Sequence, residues 1–139
     1  MIGRRVTFGI ALFVPLFAVI GAVVMFSAEG PISLPRRLLC GAVLISTIPV
    51  GAWWLLRGRR SVRMPGWFVF YADAGVALVL VTFNDKGLAL HVAVLFAVIG
   101  VYVVYFSPQS ILLMHSAFVS FVVLALAVGT YLEGVHDLW

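Results

Sequence analysis

The sequence has very few charged residues. Of its 139 residues only 10% are charged, whereas 64% are hydrophobic and the mean hydropathy is +1.19. A soluble domain carries about 25% charged residues, so this composition excludes a soluble globular protein. A lipid bilayer is the solvent that suits such a chain. We therefore predict an all-α, polytopic transmembrane helix bundle, in which residues 1–139 form a single transmembrane domain.

The chain also lacks the residues from which common sites are built. Its one cysteine, Cys40, lies in an apolar run, so neither a disulfide framework nor a cysteine-based metal site is expected. The sequence has no glycine-rich phosphate loop, no nucleophile at a recognisable spacing from a base, and no polar stretch long enough for an enzyme domain. We expect no catalytic residue, no bound metal, no cofactor and no enzymatic activity.

The charge that is present is mostly positive. Nine basic residues against five acidic ones give a formal net charge of +4, and eight of the nine are arginines. One loop, "RGRRSVRMPG", holds four arginines and no acidic residue: Arg57, Arg59, Arg60 and Arg63. Because this loop has no aromatic side chain to stack on a base, nucleic acid is not the expected partner. We expect the loop to bind anionic lipid headgroups.

Five apolar segments follow one another along the chain. A window of about 19 residues, enough for a helix to cross about 30 Å of hydrocarbon, finds them. They cover residues 6–26, 38–56, 67–83, 88–106 and 111–132. The connections are rich in glycine, proline, serine and asparagine, which end helices. The first segment is longer than the apolar part of a signal peptide, so we expect it to be retained.

The basic residues are divided unequally between the two ends of these helices. Six lie on the side of the N-terminus and three on the opposite side. The positive-inside rule therefore places the N-terminus and the loop after the second helix in the cytoplasm. After five crossings the C-terminus lies outside. The prediction is a multi-pass protein of the cell (plasma) membrane.

The fourth segment repeats small residues at helical spacing. Ala89, Ala93, Ala97 and Gly100 follow one another at intervals of four, four and three. Membrane helices associate by close packing, for which small side chains leave room, so these residues are a candidate helix-packing stripe. Alanine is also common in membrane helices, and composition alone is the alternative explanation.

Three polar residues are predicted at similar depth near the cytoplasmic side. At 1.5 Å per residue, Asp73 lies about 9 Å from the start of its helix, and Tyr102 and His115 lie about 6 Å from the nearest ends of theirs. An unpaired charge at such a depth costs about 3 kcal/mol, so Asp73 needs a partner. These three residues form a candidate intramembrane polar cluster.

The role of this cluster stays open between three explanations. Asp73 makes a structural hydrogen bond between helices, takes part in sensing or transport, or lies in a helix whose predicted position is wrong by one turn. Tyr102 is better explained as an aromatic residue at the membrane interface, where tyrosine is enriched, than as a ligand contact. A haem shared by His91 and His115 is excluded, because His91 is predicted near the opposite face of the membrane.

Two stretches resemble a known family. They are "RSVRMPGWFVFYADAGVALVL" and "FAVIGVYVVYFSPQSILLMHSAFVSFVVLALAV". Over residues 60–128 the chain is similar to the N-terminal membrane region of actinobacterial, particularly mycobacterial, GGDEF proteins of the diguanylate cyclase type. The similarity depends on Asp73, on Gly100, Tyr102 and Phe106 in the next helix, and on a Leu-x-x-His ending at His115. The chain departs from the family at Ser107, where a polar aromatic residue is frequent.

The resemblance implies a role in signal transduction. In that family the membrane region precedes a cytoplasmic GGDEF domain that makes cyclic di-GMP from GTP. Such a region must end inside the cell, whereas five crossings end outside. The resemblance therefore implies a sixth helix beyond Trp139, and this chain would be the sensory or anchoring part without its output domain.

Two hypotheses remain at this point. The first is an input module, in which a stimulus changes the packing around the polar cluster. The second is a small, self-sufficient integral membrane protein that acts as a transporter-like or accessory subunit of a membrane complex. The gene beyond the codon for Trp139 discriminates between them. The resemblance implies formation of a homodimer, and the second hypothesis implies assembly with other membrane helices.

Overall fold

The described part of the chain is entirely helical. A computed structural model describes residues 15–27, 30–57 and 65–136, and no strand occurs in these ranges. Judged by length and composition, three helical stretches there can cross a membrane: Leu34–Trp54, Lys86–Phe106 and Gln109–Gly134. The all-α prediction for a membrane protein is thereby confirmed. The chain divides into two compact units, Met1–Arg63 and Met64–Trp139.

The first unit contains two described helices, α1 (Pro15–Met25) and α2 (Leu34–Arg57). They pack closely at Gly21, where an added Cβ would overlap the Leu44 side chain. In the connection between them, the Arg37 guanidinium donates a hydrogen bond from Nε to the carbonyl oxygen of Pro31, 2.8 Å away. The helix α2 begins four residues before the predicted start at residue 38, and residues 6–14 of the first predicted segment lie outside the described ranges.

The second unit contains four helices that form three rods. They are α3 (Gly66–Thr82), α4 (Lys86–Val92), α5 (Leu95–Phe106) and α6 (Gln109–His136). Helix α6 contacts the other three helices, and α3 contacts both α4 and α5. Because the connections are short, α3 and α6 run in one direction and the α4–α5 rod runs in the other. Their ends coincide with the predicted segments to within four residues, although the fourth segment is divided into two helices.

The division between α4 and α5 is a tight turn. The backbone N–H groups of Val94, Phe96 and Ala97 each donate to the carbonyl three residues earlier, as in a 3₁₀ helix. With three residues per turn, the inward face advances from Ala93 to Phe96 and Ile99. Ala97 is therefore exposed, and the predicted packing stripe is interrupted there.

The inward face of the α4–α5 rod combines small and large side chains. Ala89 and Ala93 of the predicted stripe are buried, and so are Phe96, Ile99 and Val103, whereas Gly100 is half-buried. The observed packing face is thus partly small and mostly bulky. The spacing of alanines alone could not show this, because the 3₁₀ turn rotates the second half of the rod relative to the first.

Polar residues form hydrogen bonds at the end of the unit where α6 ends. The Asp85 carboxylate accepts a hydrogen bond from the Leu88 N–H at 3.1 Å and caps the start of α4. The Lys86 ammonium donates to the carbonyl oxygen of Phe83 at 2.8 Å, and the Lys86 backbone N–H donates to the Glu133 carboxylate at 3.2 Å. These bonds join the α3–α4 turn to the end of α6.

Candidate functional site

Asp73 lies on the inward face of α3. Buried residues of this helix include Val69, Asp73, Val76 and Leu80, whose spacings of four, three and four place them on one face. Asp73 is only 2% exposed. It lies seven residues from the first residue of α3, which is about 10 Å along the axis. The carboxyl group is therefore well inside the apolar part of the helix.

His115 of α6 is the partner of this carboxyl group. Its Nδ1 lies 2.9 Å from Oδ1 and 2.9 Å from Oδ2 of Asp73. The imidazole is buried, with 6% of the residue exposed, and it lies six residues from the start of α6. The two helices run in the same direction, so residues at equal depth face each other. The Asp73–His115 pair links α3 directly to α6.

Two of the hydrogen-bonded forms of the pair carry no net charge. A carboxylate facing an imidazolium and a carboxylic acid facing a neutral imidazole differ only in the position of one proton. Either form avoids an isolated charge in an apolar surrounding, which costs about 3 kcal/mol even on the scale derived from membrane insertion. The hydrogen bond therefore explains how α3 holds an acidic residue in its buried face.

Helix α5 reaches the same imidazole through Gly100. A Cβ built on Gly100 would lie 3.1 Å from Nε2 of His115, which is tighter than an ordinary van der Waals contact. One turn further along α6, Phe118 packs edge-on against Phe96 of α5, with 6.3 Å between the ring centroids. The Asp73–His115 pair thus lies where three helices meet. The spacing of small residues in the sequence placed Gly100 in a packing stripe and gave no sign of this contact with His115.

The third residue of the predicted cluster does not bond to the pair. Tyr102 is half-buried, and its ring lies 6.3 Å from the ring of Phe106 on its own helix. Among residues 65–136, no hydrogen bond joins the Tyr102 hydroxyl to Asp73 or His115. The Tyr102 ring packs along its own helix, and its depth relative to the pair stays a prediction.

Two further features of the sequence are the basic loop and His91, which was excluded as a haem ligand. Arg59, Arg60 and Arg63 of the basic loop lie outside the described residues, and Arg57 is the last residue of α2. His91 is exposed on α4, where Nδ1 donates to the Gly87 carbonyl oxygen at 2.7 Å. Within the described ranges, no group of three or more histidine, cysteine, aspartate or glutamate residues could hold a metal ion.

The arrangement can do one kind of chemistry. It can hold, exchange or relocate a proton between an imidazole and a carboxyl group, and it can transmit a change in helix position to that hydrogen bond. Comparison of the chain with protein-family models, curated proteins and solved structures gives no match.

Proposed function

We propose that this chain is the membrane-embedded sensory or anchoring module of a signalling protein. The observation that supports the proposal most is the buried Asp73–His115 hydrogen bond between α3 and α6, at 2.9 Å. A stimulus that separates these helices must break a bond in an apolar surrounding, where no water replaces it. A bonded and an unbonded arrangement of the two helices would then supply the two states that a switch requires.

The residues of the resemblance supply the class of signalling protein. Asp73, Gly100 and His115 are three of the residues by which the chain resembles the membrane region of GGDEF proteins, and these three are adjacent in the structure. On this proposal, the catalytic domain belongs to a separate part of the signalling protein, and the residues 1–139 themselves catalyse no reaction.

The proposal includes a position in the membrane. The chain crosses the cell membrane five times, with its N-terminus in the cytoplasm, because six of the nine basic residues lie on that side. The basic loop, which contains Arg59, Arg60 and Arg63, binds anionic lipid headgroups on the cytoplasmic face.

The test measures signalling in cells that express the product of the complete reading frame. Asp73→Asn and Asp73→Leu are compared with the parent and with Thr82→Val, which alters a buried polar residue of the same helix. The Thr82 hydroxyl bonds within α3, to the Val79 carbonyl oxygen at 2.6 Å, so its loss leaves α3 and α6 joined. We expect both Asp73 variants to shift the cellular cyclic di-GMP level, whereas Thr82→Val keeps the parent level.

Two results would overturn the proposal. One is a parent level of cyclic di-GMP in Asp73 variants that insert and accumulate normally. The other is a reading frame that encodes no signalling domain and a protein that copurifies with subunits of a membrane complex, which would favour the accessory subunit.

A further inference from the structure

Gly100 is the point at which α5 touches the imidazole of the pair. The ring nitrogen that faces Gly100 is Nε2, whereas Nδ1 is held by Asp73. The imidazole is therefore enclosed between two helices, with a carboxyl group on one side and a glycine backbone on the other. Any shift of α5 toward α6 pushes on the side of the ring opposite its hydrogen bond.

A Cβ on residue 100 would press on the imidazole from the side of α5. At 3.1 Å, a Cβ on residue 100 would require the imidazole to give by a few tenths of an ångström. That displacement must change the two 2.9 Å separations between Nδ1 and the Asp73 oxygens, because both oxygens are already at hydrogen-bond distance. A methyl group at this position is therefore expected to alter the hydrogen bond itself.

Helix α5 is also separated from α4 by the 3₁₀ turn at residues 93–97. The Val94 N–H donates to the His91 carbonyl oxygen at 3.3 Å, and the Phe96 N–H donates to that of Ala93 at 3.0 Å. A short 3₁₀ stretch within a rod has poorer hydrogen-bond geometry than the α-helix and is a place where a helix bends. Helix α5, which carries Gly100, can therefore change its angle relative to α4 at this turn.

We infer that Gly100 is a positioning residue for the Asp73–His115 pair, and that the approach of α5 to α6 at Gly100 sets the geometry of this hydrogen bond. The inference rests on the proposed function, since it names the helix through which a stimulus would act on the pair. Helix α5 would set the geometry of the hydrogen bond through its backbone at Gly100, and not through the Tyr102 side chain.

The test observes the imidazole directly. The protein is labelled with ¹⁵N-histidine and studied by NMR in detergent micelles, and His91→Asn and His136→Asn variants assign the three rings. We expect Gly100→Ala to shift the ring ¹⁵N resonances of His115, as Asp73→Asn does, because both changes alter the same hydrogen bond. Gly129→Ala is the matched control, since an added Cβ there meets only the Lys86 side chain at 3.5 Å, an ordinary contact.

A double-mutant comparison separates positioning from general packing. The effect of Gly100→Ala on the unfolding equilibrium is measured in the parent and in a variant with Asp73→Leu, where the ring remains and its hydrogen bond is gone. We expect the effect to be larger in the parent by about tenfold, within the range found for residues in contact. If Gly100→Ala alone fails to fold but the combined variant folds, the inference is equally supported.

The outcomes also distinguish this inference from the proposed function. The positioning role would be overturned if Gly100→Ala left the His115 resonances unchanged. It would also be overturned if Gly100→Ala changed the unfolding equilibrium equally in both backgrounds, and either result is independent of the signalling function. A shifted ring in a protein whose Asp73 variants keep the parent cyclic di-GMP level would retain the positioning role and reject the signalling function.

Discussion

At the scale of residues, the buried carboxyl group of Asp73 links two helices of the second unit. Asp73 is level with His115 because α3 and α6 start at the same end of the unit, where Gly66 lies against Ile111. Buried ion pairs are rarely more stabilising than apolar residues of similar size, since both groups lose their hydration. The pair is better explained by specificity, because only one arrangement of α3 and α6 satisfies both groups.

This explanation predicts a characteristic pattern in substitutions of the pair. His115→Leu alone leaves Asp73 buried without a partner and should lower the free energy of unfolding by about 3–5 kcal/mol. The variant with both Asp73→Leu and His115→Leu should recover most of this loss, because it buries no polar group. Unfolding in mixed detergent micelles, followed by circular dichroism, measures both effects.

The same measurement can contradict the explanation. A double variant as unstable as His115→Leu would mean that the imidazole stabilises the unit by its packing and not by satisfying Asp73. Thr82→Val serves as the control for buried polar groups in general, because the Thr82 hydroxyl bonds only within its own helix, to Val79. It should cost about 1 kcal/mol or less.

The sequence predicted a shared level for the polar residues but not the direction of their side chains. Counting residues from the helix ends placed Asp73, Tyr102 and His115 at similar depth, and the structure brings two of them together. The direction of a side chain depends on the rotation of each helix about its axis. That rotation is set by packing at residues such as Phe96 and Val103, which no single-residue spacing shows.

At the scale of elements, the helix ends follow from local chemistry and were largely predictable. Helix α3 stops where Phe83 becomes extended, and α5 stops at Ser107, before Pro108, which disfavours a helical residue ahead of it. The break after Val92 was not predictable, because Ala93 and Val94 are neither glycine nor proline. The 3₁₀ turn there brings Ala93, Phe96 and Ile99 onto the buried face of the rod.

The cap of α4 gives a prediction at this scale. Asp85→Ala removes the acceptor of the Leu88 N–H and should destabilise the first turn of α4 by about 1 kcal/mol. Faster amide hydrogen exchange at Leu88 in detergent would report this loss. Asp85→Asn retains a side-chain oxygen and should exchange nearly as slowly as the parent. Equal exchange rates in all three proteins would show that the carboxylate does not stabilise α4.

At the scale of the whole molecule, the exposed surface is as informative as the buried one. Large apolar side chains are exposed along the full length of α6, among them Leu113, Phe121, Leu124 and Leu132. Such a surface requires lipid or other apolar partners. Trp67 and Tyr105 are exposed where α3 begins and α5 ends, which is typical of a membrane interface. Asn84, Asp85 and Lys86 mark the opposite end.

These two ends of the second unit supply a test of the proposed orientation. The only cysteine, Cys40, is first replaced in a Cys40→Ala background, and single cysteines are then introduced by Asn84→Cys or Ser110→Cys. Both positions are exposed, at opposite ends of the unit. The positive-inside rule places the end where α6 begins in the cytoplasm and the end that holds Asn84 outside. We therefore expect a membrane-impermeant maleimide to label intact cells only through Asn84→Cys.

The labelling pattern distinguishes the predicted orientation, the inverted orientation and a rod that does not cross the membrane. Ser110→Cys should react only after the membrane is permeabilised, and the Cys40→Ala background should not react at all. Labelling of Ser110→Cys alone in intact cells would invert the orientation. Labelling of both would mean that α4 and α5 do not cross the membrane, although together they lie in an apolar stretch of 21 residues, enough for about 31 Å of helix. Since the Asp73–His115 pair lies about 10 Å from the end of the unit that holds Ser110, the same pattern decides which membrane leaflet contains the pair.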